Sequence, residues 1–239
     1  MLIEVCANSL QSALNAKEAG ADRIELCSEL GVGGITPSYG LIKMVKTQVE
    51  IAIHVLIRPR SGHFTYSETE FEVMLADIDF CKEMEVEGIV SGILHQNHTL
   101  DLERTKTLVE RSAPLQFTFH RAFDWVNHPE QTLKDLKQMG VETVLTSGQF
   151  SNAQEGLEQL KKWQDSSTMT IMPGGGIHPE NALAFKKAGL RAIHLSGTSF
   201  VNNILIDQKI SMNSNKHLSE HHIAVTNTEI IRQTVRAVH

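Results

Sequence analysis

Cysteine is scarce in this chain: the 239 residues hold 3, an odd number. That excludes a disulfide scaffold and predicts free thiols in a reducing compartment. A basic surplus is missing as well. Lys and Arg total 22 against 28 Asp and Glu, for a net charge of −6, so no basic stretch offers nucleic acid the counterion release that binding needs. No run approaches the ~20 apolar residues of a membrane span; the best candidate, residues 51–57, is broken by His54. The start, Met1-Leu2-Ile3-Glu4, has no basic segment, which predicts no secretory signal and a cytoplasmic protein. Metalloprotease, P-loop and nucleophile-elbow signatures are absent. Gly31-Val32-Gly33-Gly34 lacks dinucleotide-binding spacing and reads as a flexible loop.

What is present is alternation. Short β-branched runs at 2–7, 23–27, 51–58, 88–93, 115–121, 143–147, 168–173 and 192–196 are each followed by a segment of helical period. Phe71, Met74, Leu75, Ile78 and Cys81 mark one buried helix face. Pro37, Pro129 and Pro179 stand where helices should begin, and Gly20, Gly140 and Gly189 where helices should end. Eight such units suit an open doubly wound sheet or a closed (β/α)8 barrel. The length, near the ~250 residues usual for the barrel, and the late glycine-rich loops favour the barrel. No linker divides the chain, which predicts a single TIM-barrel-like α/β domain over 1–239. Its barrel core covers 1–200, and 201–239 forms a loop and a C-terminal helical extension. Residues 202–224 read as a long polar loop containing His217, His221 and His222, a solvated stretch without metal-ligand spacing. A capping box at Thr226-Asn-Thr-Glu229 opens the last helix.

Strand alternation places Glu4, Cys6, Arg23, Glu25, Cys27, His54, Arg58, Thr118, His120, His194 and Ser196 inside the barrel. Ordinary barrel filling is Val, Ile and Leu, and an ionised Glu is costly to bury unless paired. Two readings stand side by side: a structural network pairing Glu4 and Glu25 with Arg23, Arg58 or His54, and a ligand pocket at the C-terminal mouth. Glu4-Val-Cys6 and Glu25-Leu-Cys27 repeat one tripeptide on adjacent strands. Thiols at matching heights would suit a soft ion such as Cu(I), or would simply be two small buried side chains. Cys81 belongs to the core.

The loops at the strand ends carry further candidates. Arg58-Pro-Arg60 suits an anion that needs forked donors. His120-Arg121-Ala-Phe-Asp124 offers anion binding or acid–base work. Gly174-Gly175-Gly176 and Ser196-Gly-Thr-Ser199 follow the seventh and eighth strands, where barrels often bind phosphate. The local alternatives are surface ion pairs and tight turns.

Taken together, Ile3-Glu-Val-Cys6, Ala21-Asp-Arg-Ile-Glu-Leu-Cys27, Gly33-Gly-Ile-Thr-Pro-Ser38, Ile57-Arg-Pro-Arg60, Phe119-His-Arg-Ala-Phe-Asp124, Leu145-Thr-Ser-Gly148 and Gly174-Gly-Gly-Ile177 resemble the CutC family of copper homeostasis proteins. The resemblance runs through about the first 200 residues. It implies a TIM-barrel-like fold, a cytoplasmic protein linked to copper tolerance, and copper binding at Cys6 and Cys27. One departure is Ser61, Gly62 and His63, where the family tends toward Gly-Gly and an acidic residue.

Two functions follow. In the first, the chain is a cytoplasmic copper homeostasis protein holding Cu(I) at Cys6 and Cys27. In the second, it is an enzyme on a small phosphorylated or carboxylated metabolite. Arg58, Arg60, Arg121, Gly174, Gly175, Gly176 and Ser196 would then bind substrate, and Glu25, His120 and Asp124 would move protons. The partner is a copper ion or a small anionic metabolite, with neither nucleic acid nor membrane; a homo-oligomer is compatible with either reading.

Overall fold

Eight parallel strands and eight helices alternate in the computed structural model, which describes residues 1–202, 210, 220 and 222–239. The strands are β1 (Leu2–Ala7), β2 (Arg23–Leu26), β3 (Ala52–Leu56), β4 (Gly88–Ser91), β5 (Gln116–Phe119), β6 (Thr143–Thr146), β7 (Thr170–Pro173) and β8 (Ala192–Leu195). The helices between and after them are α1 (Leu10–Glu18), α2 (Tyr39–Gln48), α3 (Glu68–Glu83), α4 (Leu102–Ser112), α5 (Pro129–Gln138), α6 (Leu157–Ser166), α7 (Pro179–Lys187) and α8 (Thr228–Val238). Strand order runs from β7 down to β1 and then β8. A parallel bridge between Gly174 and His194 joins the two edges. The result is a nearly closed barrel.

Binary patterning explains the layers. Ile3, Val5, Ile24, Leu26, Ile53 and Val55 point outward onto the helices and are buried. The opposite face of the same strands carries the polar set into the barrel. On α3, Phe71, Met74, Ile78 and Cys81 are buried as the periodicity predicts, and each large side chain withdrawn from water contributes about 1.5–3 kcal/mol. Ser67 and Glu70 close a capping box at its start.

Pro129 and Pro179 occupy first-turn positions of α5 and α7. Pro37 does not: Ser38 caps α2, its hydroxyl accepting the Leu41 N–H. Gly20, Gly140 and Gly189 follow the caps of α1, α5 and α7 with φ between +85° and +89°, a conformation only glycine adopts without strain.

Two corrections concern the end of the chain. The last helix is capped by Asn227, whose side chain accepts from the Glu229 and Ile230 N–H groups, and not by Thr226. The helix itself is present as expected; it buries Ile231 and Val238 and packs on α7 and α1 as the eighth helix around the barrel. Residues 223–224, read as the end of a polar loop, are strand instead. An antiparallel ribbon, β9 (Thr198–Val201) with β10 (Ile223–Thr226), stands between β8 and α8. His217 and His221 lie outside the described residues.

Candidate functional site

The C-terminal ends of the strands surround a cavity of about 770 Å³. Cys6, Glu25, Arg58, His120, Arg121, Asp124, Gly175, Gly176, His194 and Ser196 reach it from six strand ends. Most of the predicted site residues are therefore brought together. Three are not on its wall. Cys27 lies behind Cys6, fully buried, and Arg60 turns away to pair with Glu70, its Nε 2.5 Å from Oε1. Gly174 sits just below, bridging to His194.

The expected equality of height between the two Glu-x-Cys tripeptides does not hold. Across the β1–β2 ladder Glu4 faces Arg23 and Cys6 faces Glu25. Barrel closure requires a stagger between neighbouring strands, and here it displaces the repeat by two residues. Cys6 and Cys27 still meet diagonally, with their Sγ atoms 3.4 Å apart.

This register builds two layers. The lower one is a buried ionic network. Glu4 Oε2 accepts from Arg23 Nε at 2.6 Å, and Glu4 Oε1 lies 2.8 Å from His194 Nδ1. Burial works to raise the Glu4 carboxyl, but Arg23 and then His194 overcome it and hold the group down at about 2. The pairing reading is thus correct for Glu4 and Arg23. His54 and Arg58 are not its partners.

The upper layer opens to the cavity. Ligand atoms of Cys6, Glu25 and His194 all lie within 4.8 Å of one another. Burial raises the Glu25 carboxyl, with the charge of Glu4 adding to it. Burial depresses His194, but the Glu25 and Glu4 carboxylates outweigh it, and the imidazole is raised. The Cys6 thiol is pushed well above its usual value, first by its hydrogen bond to Cys27 and then by burial. His194 was absent from the predicted site set, although alternation along β8 had already turned it inward.

Arg58 serves the wall. Its Nη1 donates to the Val32 and Gly34 carbonyls at 2.9 and 2.7 Å, and Nη2 to the Gly62 carbonyl at 2.7 Å. The Gly31–Gly34 loop, expected to be flexible, is pinned by these bonds. The arginine plane also stacks over Phe64 at 5.2 Å.

Asp124 likewise orders its surroundings. It accepts from Thr146 Oγ1, the Ser147 N–H and hydroxyl, the Gln149 N–H and Arg121 Nε. Thr146 and Ser147 stood in the sequence only as part of the Leu145–Gly148 motif, with no role assigned, because only the fold brings them to Asp124. Arg121 Nη2 donates to Ser147 Oγ at 3.0 Å, while no protein acceptor meets Nη1 among the described residues.

His120 is 4% exposed. Its Nδ1 accepts the Ala122 N–H at 3.2 Å, which places the ring proton on Nε2. That Nε2 is buried and has no hydrogen-bond partner among the described residues. Burial, and then the charge of Arg58, lower its pKa to about 3.

The CutC family model matches residues 1–199. A CutC family protein of Chromobacterium violaceum is 42% identical over 75% of this chain and 74% of its own length. The human copper homeostasis protein cutC homolog is 41% identical over 99% of this chain and 88% of its own. Among solved structures, a CutC protein of Streptococcus agalactiae superimposes with a TM-score of 0.78 at 32% identity, over 82% of this chain and 98% of that one. Thiamine phosphate pyrophosphorylase from Pyrococcus furiosus shares the fold alone, with a TM-score of 0.62 at 14% identity. A polar barrel interior built from the two Glu-x-Cys strands, and a family match over five-sixths of its length, place this chain in the CutC family.

Proposed function

We propose that this protein acts in copper homeostasis in the cytoplasm and that Cu(I) is its cargo, held by Cys6 and Cys27. The observation that carries this reading is the 3.4 Å contact of the two thiols, one buried and the other on the cavity wall. Sulfur ligands suit a soft monovalent ion better than the carboxylates and imidazoles around them. Glu25 and His194 lie close enough to Cys6 to supply a further ligand or to take up the proton that a thiol must lose on binding. The relatives bearing a copper homeostasis name support the same reading. Anaerobic titration against a Cu(I)-chelating competitor tests it. Cys6→Ser with Cys27→Ser removes stoichiometric binding, and unchanged binding in that double variant rejects it.

A second reading is favoured by the size and chemistry of the mouth. A cavity of about 770 Å³ has the volume of a metabolite site, far more than one ion fills. It carries a guanidinium nitrogen and an imidazole N–H that a copper ion does not use. In this reading the protein is an enzyme on a small anionic metabolite. Arg121, Gly175, Gly176 and Ser196 contact the substrate, and Glu25 and His120 stand nearest to move or share protons. Asp124 positions Arg121. Turnover of a small anion by the wild type, lost in Arg121→Gln, is its test.

A further inference from the structure

We propose that the mouth cavity binds a small organic carboxylate, with the carboxylate on Arg121 beside Gly175 and a second ligand oxygen accepting the Nε2–H of His120. The proposal rests on the second reading above and names its substrate class: a 2-oxo or 2-hydroxy carboxylate with a short apolar tail.

Three observations carry it. The first is donor supply. Arg121 has its Nε committed to Asp124 and its Nη2 to Ser147, which fixes the guanidinium and leaves Nη1 to face the cavity. Ordering an arginine in advance reduces what is lost when it grips a carboxylate. The second is space. A Cβ at Gly175, where φ is +100°, would lie 3.2 Å from Arg121 Nη1, so the glycine keeps open the volume beside the charge. The third is His120 Nε2, a buried donor with no acceptor among the described residues. Leaving a buried donor without an acceptor is unfavourable, and a ligand oxygen would satisfy it. Because burial keeps this imidazole neutral, it serves as a hydrogen-bond donor and brings no second positive charge.

The charge balance selects the ligand class. Arg58 and Arg121 are the guanidiniums on the cavity wall, and Arg58 is spent on three carbonyls. Asp124 already stands beside Arg121, and Glu25 lies on the same cavity. One forked guanidinium matches a monoanionic carboxylate, whereas among the described residues the other cationic groups on the wall, Arg58 and His194, are held by carbonyls and by Glu4 and Glu25 and leave none for a phosphate dianion. Phe64 packs 4.9 Å from the His120 ring and 5.0 Å from Trp125, an apolar wall for a short tail.

The experiment is calorimetry on the full chain with 2-oxobutyrate, inorganic phosphate and butanone. The variants are Arg121→Gln, Gly175→Ala and, as a distant control, Arg111→Gln on α4, with melting curves to verify the fold. Nitrogen NMR of the histidines supplies a second readout at His120. Saturable 2-oxobutyrate binding supports the proposal when it weakens at least tenfold in Arg121→Gln and in Gly175→Ala, is unchanged in Arg111→Gln, and shifts the His120 Nε2 signal. Phosphate binding without 2-oxobutyrate binding overturns the carboxylate assignment and leaves the small-anion reading standing. Binding of neither anion overturns both. Binding that ignores Arg121 and Gly175 overturns the placement.

Discussion

Cys6 faces Glu25 across the β1–β2 ladder, yet its sulfur rests 3.4 Å from that of Cys27, one layer higher. A barrel stagger of two residues converts a repeated tripeptide into a diagonal thiol pair with a carboxyl beside it. The Cys6 thiol is held protonated by its bond to Cys27 and by burial. A soft ion must therefore displace at least that proton. Apparent Cu(I) affinity is expected to rise with pH, about tenfold per unit for each proton released. Competition titrations at pH 6.5 and 7.5, corrected for the competitor's own protonation, read the slope. A flat profile would show that no proton leaves the protein on binding, so that the thiol proton is either kept or passed to Glu25 or His194.

Cys81 provides the contrast. It is buried on the α3 face that packs on the barrel, and burial raises its thiol to about 12. Cys81→Ser is expected to leave Cu(I) stoichiometry unchanged while lowering stability by about 1–3 kcal/mol, because a hydroxyl is placed in an apolar core. Urea unfolding beside the copper titration separates the two effects.

Gly88 is required by His54. The two are partners across the β3–β4 ladder, and a Cβ at residue 88 would lie 2.5 Å from the His54 ring. Gly88→Ala is expected to lower stability by about 1–3 kcal/mol through overpacking. His54→Ala in the same background should recover part of the loss, as a double-mutant cycle in urea would reveal.

Low pH should unfold the protein through its buried histidines. Burial, then Arg23, lowers the His54 pKa to about 4, and burial, then Arg58, lowers that of His120 to about 3. Unfolded histidine binds its proton near 6.5. Between pH 6.5 and those folded values the unfolded chain holds more protons, so stability falls as pH falls, by up to about 1.4 kcal/mol per unit for each group. Above pH 6.5 these two contributions are fully present. Chemical denaturation of the metal-free protein from pH 4 to 7 measures the slope, and His54→Gln should reduce it. An equal slope in that variant would locate the pH sensitivity elsewhere.

Glu4 is fully buried and joins Arg23 to His194. Glu4→Gln keeps the shape but removes the charge that compensates the guanidinium. A loss of about 3–5 kcal/mol is expected in urea unfolding, because it leaves a buried cation poorly compensated.

Much of this was legible in the sequence because it follows from periodicity. Alternation along β1, β2 and β8 decides that Glu4, Cys6, Glu25 and His194 turn inward. The helical period of α3 decides its buried face, and the glycine after each of α1, α5 and α7 decides where the helix stops. These are local properties, set by the two-residue and 3.6-residue repeats and by positive φ. The CutC motifs, spread over about 200 residues, carried the family in the same way.

What the tertiary structure alone decided are relationships between segments. Register placed Cys6 beside Glu25, because the shear of a closed barrel is not written in either strand. Competition for partners sent Arg58 to three loop carbonyls and Arg60 to Glu70, although each had equal claim to an anion by sequence. Asp124 became a hub because Thr146 and Ser147 arrive from the next strand. The last helix, an appendage by its position in the chain, filled the eighth place in the ring because the barrel had one apolar flank left to cover.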